Sequence, residues 1–229
     1  MDIVVTTYCN LKCSKCANLL NLYEQPQHID FNELKQDIKK VYELTHTDHF
    51  NILGGETFLY PYIIDLILYV QNFDVNNIYV YTNGTINLDL SKLQNKLLPK
   101  VKFYIQDYPG SKEKDKLAEQ CKTYGFNYEI LTYNWVDYGN LERCPDGKER
   151  FNLCQRKCNT LLNGKLYICP RAAHAHNLGI IQLPPNNYVD LHQDNLKQQY
   201  HNFFYAQEQP TCEYCFIGSQ YEKEIKRGT

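Results

Sequence analysis

The sequence predicts an α/β fold built on a parallel sheet, and three observations carry that expectation. Short β-branched runs alternate with amphipathic helical patterns at about thirty residues per unit, the spacing of strand–helix–strand crossovers. Loops rich in cysteine, glycine or asparagine follow the strands, which is where open sheets and barrels place their ligands. From about Tyr133 this rhythm gives way to Pro145, Gly147, charged residues and clustered cysteines, which puts a domain boundary near residue 135.

The elements follow in order. Ile3-Val4-Val5-Thr6-Thr7 is a β-branched run of the kind buried in a parallel sheet, and it delivers a loop carrying Cys9, Cys13 and Cys16. Asp30-Phe31-Asn32-Glu33 reads as a capping box, opening a helix with apolar residues at Phe31, Leu34, Ile38, Val41 and Leu44. A second strand over 49–53 ends in Gly54-Gly55-Glu56. An amphipathic helix over 60–73 leads to a third strand over 77–82, which ends in Thr82-Asn83-Gly84. A third helix is expected over 88–98. The fourth strand, 100–106, runs into Asp107-Tyr108-Pro109-Gly110, the fourth helix, 112–124, closes on Gly125, and the fifth strand covers 126–132.

A chain of 229 residues accommodates one α/β core and a small appendage. With 24 basic and 26 acidic side chains and no basic stripe, nucleic acid is not an expected partner. No window approaches about eighteen consecutive apolar residues, so no membrane span is expected. The N-terminus enters a strand without a signal core, which points to the cytoplasm. There, ten cysteines indicate metal rather than disulfides.

Thiolate is the soft ligand that iron–sulfur clusters select, and spacings of three and two residues let one loop wrap a cubane. Cys9, Cys13 and Cys16 would hold three of its four irons and leave one coordination position open. A structural zinc site is the alternative, although zinc usually pairs two Cys-x-x-Cys units, or Cys with His. A second set begins with Cys158 and Cys169 at the ends of an expected hairpin, turned by Asn163-Gly164 in type I′ geometry, and continues with Cys212-Glu213-Tyr214-Cys215. By spacing, zinc and iron–sulfur are equally open there. Cys144 lies in a loop, and Cys121, on a helix, reads as a small core residue.

Cys-x-x-x-Cys-x-x-Cys behind the first strand, with Gly54-Gly55-Glu56 and Thr82-Asn83-Gly84 on the next two strand ends, resembles the radical S-adenosylmethionine (SAM) enzymes. The resemblance implies a partial (β/α) barrel, open on one side, of about five parallel strands and four helices over residues 1–135. It implies a 4Fe–4S cluster on Cys9, Cys13 and Cys16. Gly54, Gly55 and the Glu56 carboxylate would hold the methionine amino group of SAM, and Thr82, Asn83 and Gly84 would approach its ribose. Lys15 stands where the family has an aromatic residue near adenine, and Thr57 replaces a proline. The Gly164-to-Cys169 hairpin and the late cysteine pair resemble a twitch domain, the shortened SPASM-type extension. That implies a second, auxiliary 4Fe–4S cluster over residues 136–229, held by Cys169, Cys212, Cys215 and Cys158, with Cys154 as the alternative fourth ligand.

The layout is similar to 2-deoxy-scyllo-inosamine dehydrogenase. It implies an oxidoreductase that cleaves SAM to a 5′-deoxyadenosyl radical and oxidises a small hydroxylated substrate, sugar-like or a nucleotide-sugar, with the auxiliary cluster accepting an electron. An external flavodoxin- or ferredoxin-type donor would supply the reducing electron. Asp107, Tyr108 and Arg171 are the candidate catalytic or substrate-binding residues, and His174 a candidate contact. Peptide maturation is the alternative activity, although the chain starts at its first strand with no leader-binding domain ahead of it. Sugar epimerisation, with Cys144 or Cys154 donating hydrogen, and a non-catalytic zinc module complete the alternatives.

Overall fold

The first five strands and the helices between them form the expected parallel half of a larger sheet. The structure, a computed structural model, describes residues 1–139, 141–154 and 158–228. Strands β1 (Asp2–Val4), β2 (His49–Leu53), β3 (Asn77–Thr82), β4 (Val101–Gln106) and β5 (Asn127–Leu131) pair in parallel in chain order. Helix α1 (Phe31–Thr45) starts as the capping pattern predicts, the Asp30 carboxylate accepting from the Asn32 and Glu33 amides. Its buried Leu34, Ile38 and Val41 pack on the sheet with α2 (Ile63–Val70). Ile3, Phe50, Ile52, Ile78, Val80, Phe103 and Ile105 fill the core from the strands, each contributing about 1.5–3 kcal/mol by burial.

The expected third helix is corrected to a single 3₁₀ turn, Leu90–Leu93. Asn95 takes a left-handed φ of 61°, and the bias of Leu98 ahead of Pro99 toward extended backbone leaves no room to propagate an α-helix. Gln71 covers the exposed ends instead, donating to the Lys96 carbonyl and accepting from the Leu98 amide. Helix α3 (Lys114–Tyr124) ends at Gly125 in left-handed geometry, as expected.

Beyond β5 the chain forms β6 (Trp135–Val136) and then α4 (Gly147–Leu153). The hairpin is present as β7 (Thr160–Leu162) and β8 (Lys165–Tyr167), with Asn163 and Gly164 at φ 47° and 69°. It joins the main sheet: β7 pairs in parallel with β1, and β9 (Tyr188–Asp190) extends the order to β5-β4-β3-β2-β1-β7-β8-β9. Between them lies α5 (Pro170–Asn177), and after β9 comes α6 (Leu196–Phe204). The tail strand β10 (Glu224–Ile225) pairs with β6. No helix among the described residues is long and apolar enough to cross a membrane.

Candidate active site

The ends of β1, β2 and β3 interlock through backbone before any ligand is considered. Just beyond β1, the carbonyls of Thr6 and Tyr8 accept from the Gly55 and Glu56 amides at 2.8 and 2.7 Å. This contact explains the two glycines. A Cβ on Gly55 would lie 1.8 Å from the Tyr8 carbonyl oxygen, and one on Gly54 would lie 2.6 Å from that of Thr6. Gly84, at φ 70°, turns the chain at the end of β3.

Glu56 is fully buried and serves as the clamp between the second and third loops. Its carboxylate accepts from the Phe58 amide (2.9 Å), the Thr82 hydroxyl (2.6 Å) and the Asn83 amide (2.7 Å). Burial pushes its carboxyl above the usual range, and these three donors oppose that rise. Asn83 reaches the cysteine loop in turn, its side-chain amide lying 3.1 Å from Asn10 Oδ1 and 3.8 Å from the Cys9 sulfur.

Over these loops lies a cavity of about 480 Å³, within the size range of small-molecule sites. Cys9, Cys13 and Cys16 line one wall with Gly54, Gly55, Thr82 and Asn83. Tyr81, Tyr108, Tyr133, Trp135 and Tyr138 make the others. Burial raises all three thiols. Cys13, pushed up to about 11, also feels the charges of Cys16 and Cys9, so the three share one small region.

The expected catalytic residues divide. Tyr108 lines the cavity, its ring edge-on to Trp135 at 5.2 Å. Burial, reinforced by the charge of Cys13, holds its phenol well above the usual range, so at neutral pH it is a proton donor. Asp107 is outside the cavity lining, its carboxylate paired with Lys114 at 2.7 Å, which argues against it as a base. Arg171, 3% exposed, likewise lies outside the lining: it donates to the carbonyls of Tyr214 and Gly139. His174 is fully buried, bonded through Nδ1 to the Tyr23 hydroxyl at 2.9 Å, and burial lowers its pKa to about 3.

In the second cysteine set the two candidates for the fourth position, Cys158 and Cys154, are placed differently. The Cys158 thiol is exposed, and its charge bears on the N-terminal ammonium. Cys154 instead acts on Cys169 and Cys215, and Cys212 also acts on Cys169. The cause is a long-range tie: Arg150 of α4 donates to the carbonyls of Cys144 and Cys212 and so carries the end of α4, Cys154, to the Cys-x-x-Cys turn.

Three residues take roles that sequence reasoning did not assign them. Lys15 points from the cysteine loop to the buried Asp137 at 3.1 Å. Gln106, at the end of β4, lines the cavity with a buried Oε1 that has no partner. Arg227 donates to the carbonyls of Leu131 and Tyr133 and faces the Tyr108 ring, holding the aromatic wall in place. Of Tyr108, Tyr133, Trp135 and Tyr138 in that wall, sequence reasoning singled out only Tyr108 as a site residue.

The sequence profile of the Radical SAM superfamily matches residues 3–127, more than half of the chain. The chain belongs to the radical SAM superfamily. The fold is similar to that of BtrN in complex with AdoMet and 2-DOIA, at 17% identity and a TM-score of 0.54, covering 100% of this chain and 96% of that one. Streptococcus suis SuiB bound to S-adenosylmethionine is 18% identical with a TM-score of 0.46, covering 56% of this chain and 32% of its own. Native anSMEcpe with bound AdoMet and Cp18Cys peptide is 21% identical with a TM-score of 0.43, covering 57% and 41%. The matched region thus spans about a third to two-fifths of the last two proteins. No curated protein matches.

Membership of the radical SAM superfamily implies a 4Fe–4S cluster and SAM. The donor set fits, since three thiols, the Gly54-Gly55 loop and Thr82-Asn83 meet at one cavity of sufficient size. Among the described residues no three His, Cys, Asp or Glu side chains converge as one metal ion requires. A cubane takes its thiolates at separate corners, a demand that the three-and-two spacing of the loop meets.

Proposed function

We propose that this radical SAM enzyme oxidises a secondary alcohol on a small, neutral, sugar-like substrate, with two 4Fe–4S clusters. The observation that carries the reading is the presence of two cysteine sets of different setting: three thiols on a cavity wall, and Cys154, Cys169, Cys212 and Cys215 drawn together outside its lining. Bound there, the two groups would supply the electron that cleaves SAM to methionine and a 5′-deoxyadenosyl radical, and the acceptor for the electron left on the substrate once its carbon-bound hydrogen has gone to 5′-deoxyadenosine and its hydroxyl proton to solvent. The net change is alcohol to ketone.

The chain's own residues divide the work. Cys9, Cys13 and Cys16 would hold the first cluster, whose remaining open position would take SAM. Glu56, with both oxygens taken, fixes the Gly-Gly and Thr-Asn-Gly loops against each other, so that backbone, together with Asn83, meets the cofactor. The walls of Tyr108, Tyr133, Trp135 and Tyr138 offer ring faces to the apolar side of a sugar ring and exclude water from the radical. Tyr108 donates to a substrate oxygen. No carboxylate is among the residues lining the cavity, which favours a neutral substrate and sends the hydroxyl proton to solvent rather than to Asp107. The bound 2-DOIA of the fold relative BtrN supports a cyclic, hydroxylated compound. A small external reductant provides the first electron.

Anaerobic incubation with SAM, dithionite and neutral cyclitols deuterated at the carbinol carbon tests the reading, with aminocyclitols as the charged comparison. It predicts singly deuterated 5′-deoxyadenosine matched by ketone. Deuterium transfer without ketone would replace oxidation by a redox-neutral rearrangement.

A further inference from the structure

Arg171 follows Cys169 by two residues at the start of α5, and its charged end is enclosed. Nε donates to the Tyr214 carbonyl at 3.1 Å, inside the Cys212–Cys215 turn, and Nη2 donates to the Gly139 carbonyl at 2.6 Å. Two segments distant in sequence therefore fix the guanidinium plane. Nη1 is buried with no hydrogen-bond partner. The neighbouring carboxylate, Asp137, is already engaged by Lys15 at 3.1 Å and by the Gly139 amide at 2.8 Å. Sulfur ranks ahead of that carboxylate around Arg171: Cys215 and Cys169 of the second set act on it before Tyr138 and Asp137, and it acts on Cys16 of the first.

A buried guanidinium whose one neighbouring carboxylate is already engaged by a lysine is unfavourable unless another anion faces it. An iron–sulfur group ligated by four thiolates is such an anion, and its sulfurs accept N–H donors that tune its potential. We propose that Arg171 is a positioning residue that holds a fixed positive charge between the two cysteine sets and raises the reduction potential of the auxiliary cluster. The inference rests on the reading that Cys154, Cys169, Cys212 and Cys215 hold such a cluster. Gaining one electron makes that group one unit more negative, and a nearby buried cation favours the more negative state. The electron comes from the substrate radical in turnover and from dithionite in the test. Arg171 thereby makes the second set the sink.

The test is an anaerobic dithionite titration of full-length, reconstituted protein followed by electron paramagnetic resonance, with iron counted in each sample. The signal unchanged by added SAM reports the auxiliary cluster. In Arg171→Gln the midpoint moves negative by at least tenfold in the redox equilibrium, about 59 mV for a one-electron couple, with iron unchanged at about eight per chain. Arg171→Lys, which keeps the charge, stays within a factor of about three of wild type. A wild-type midpoint in Arg171→Gln overturns the proposal. If Arg171→Gln fails to take up its irons, Arg171→Lys decides: a full iron content and wild-type midpoint support the charge role, whereas lost iron or a tenfold negative shift overturns it. Only about four irons in wild type would remove the auxiliary cluster itself, a failure visible before any potential is measured.

Discussion

Cys9, Cys13 and Cys16 hang on one loop at the wall of an open cavity, whereas Cys154, Cys169, Cys212 and Cys215 are gathered from three segments and held away from it. The first set is positioned by backbone: Gly55, Glu56 and Asn83 tie its loop to two strand ends. The second is positioned by buried arginines, with Arg150 and Arg171 both donating to carbonyls within the Cys212–Cys215 turn region. On the proposed reading, these two settings suit two different tasks. A site that binds a cofactor needs an open position and a rigid cradle, while a site that only stores an electron needs full ligation and a compensating charge.

The largest expected effects break this comparison at its thiols. Cys13→Ala abolishes 5′-deoxyadenosine formation, read by chromatography of anaerobic reactions. Cys169→Ala leaves SAM cleavage measurable and abolishes ketone formation. If both variants lose 5′-deoxyadenosine alike, the two sets are not separable in function.

Next come the cradle residues. Gly55→Ala drives a methyl group into the Tyr8 carbonyl and displaces the cysteine loop, lowering stability by about 3 kcal/mol or more in urea unfolding and weakening SAM binding in calorimetry. Glu56→Ala leaves the Thr82 hydroxyl and the Phe58 and Asn83 amides without an acceptor, a loss of about 2–4 kcal/mol. A Glu56→Ala variant of wild-type stability would contradict the clamp.

The smallest effect belongs to the second region. Buried His174, with its folded pKa lowered to about 3 against an ordinary value of 6.5, stays neutral in the fold and takes up a proton on unfolding. The unfolded state therefore binds more protons between these values, so stability falls as pH drops below about 6.5 and continues to fall toward 3. Between pH 7.5 and pH 5 the loss is about 2 kcal/mol. Denaturant midpoints across that range should show it, and a His174→Gln variant should lack this component.

Legibility in the sequence follows the range of the interactions. The strands over 49–53 and 77–82 were readable to the residue because alternating burial is a local property, and the Asn163-Gly164 turn because both residues tolerate positive φ. The helix over 88–98 was misread because its apolar spacing said nothing of the left-handed Asn95. Local motifs identified the first cysteine set. The choice between Cys154 and Cys158 in the second did not follow from spacing, because the contact that ties the Cys154 end of α4 to the Cys212 carbonyl, from Arg150, spans 62 residues. Nor could sequence show that Asp107 is spent on Lys114, or that Glu56 turns inward.

The measurement that bears most directly on two distinct clusters is iron and acid-labile sulfide per chain, in anaerobically reconstituted wild type and in the variant with Cys9, Cys13 and Cys16 all changed to alanine. About eight irons falling to about four is the predicted result. About four irons in wild type, all lost in the variant, would contradict it and leave Cys154, Cys169, Cys212 and Cys215 without a cluster to hold.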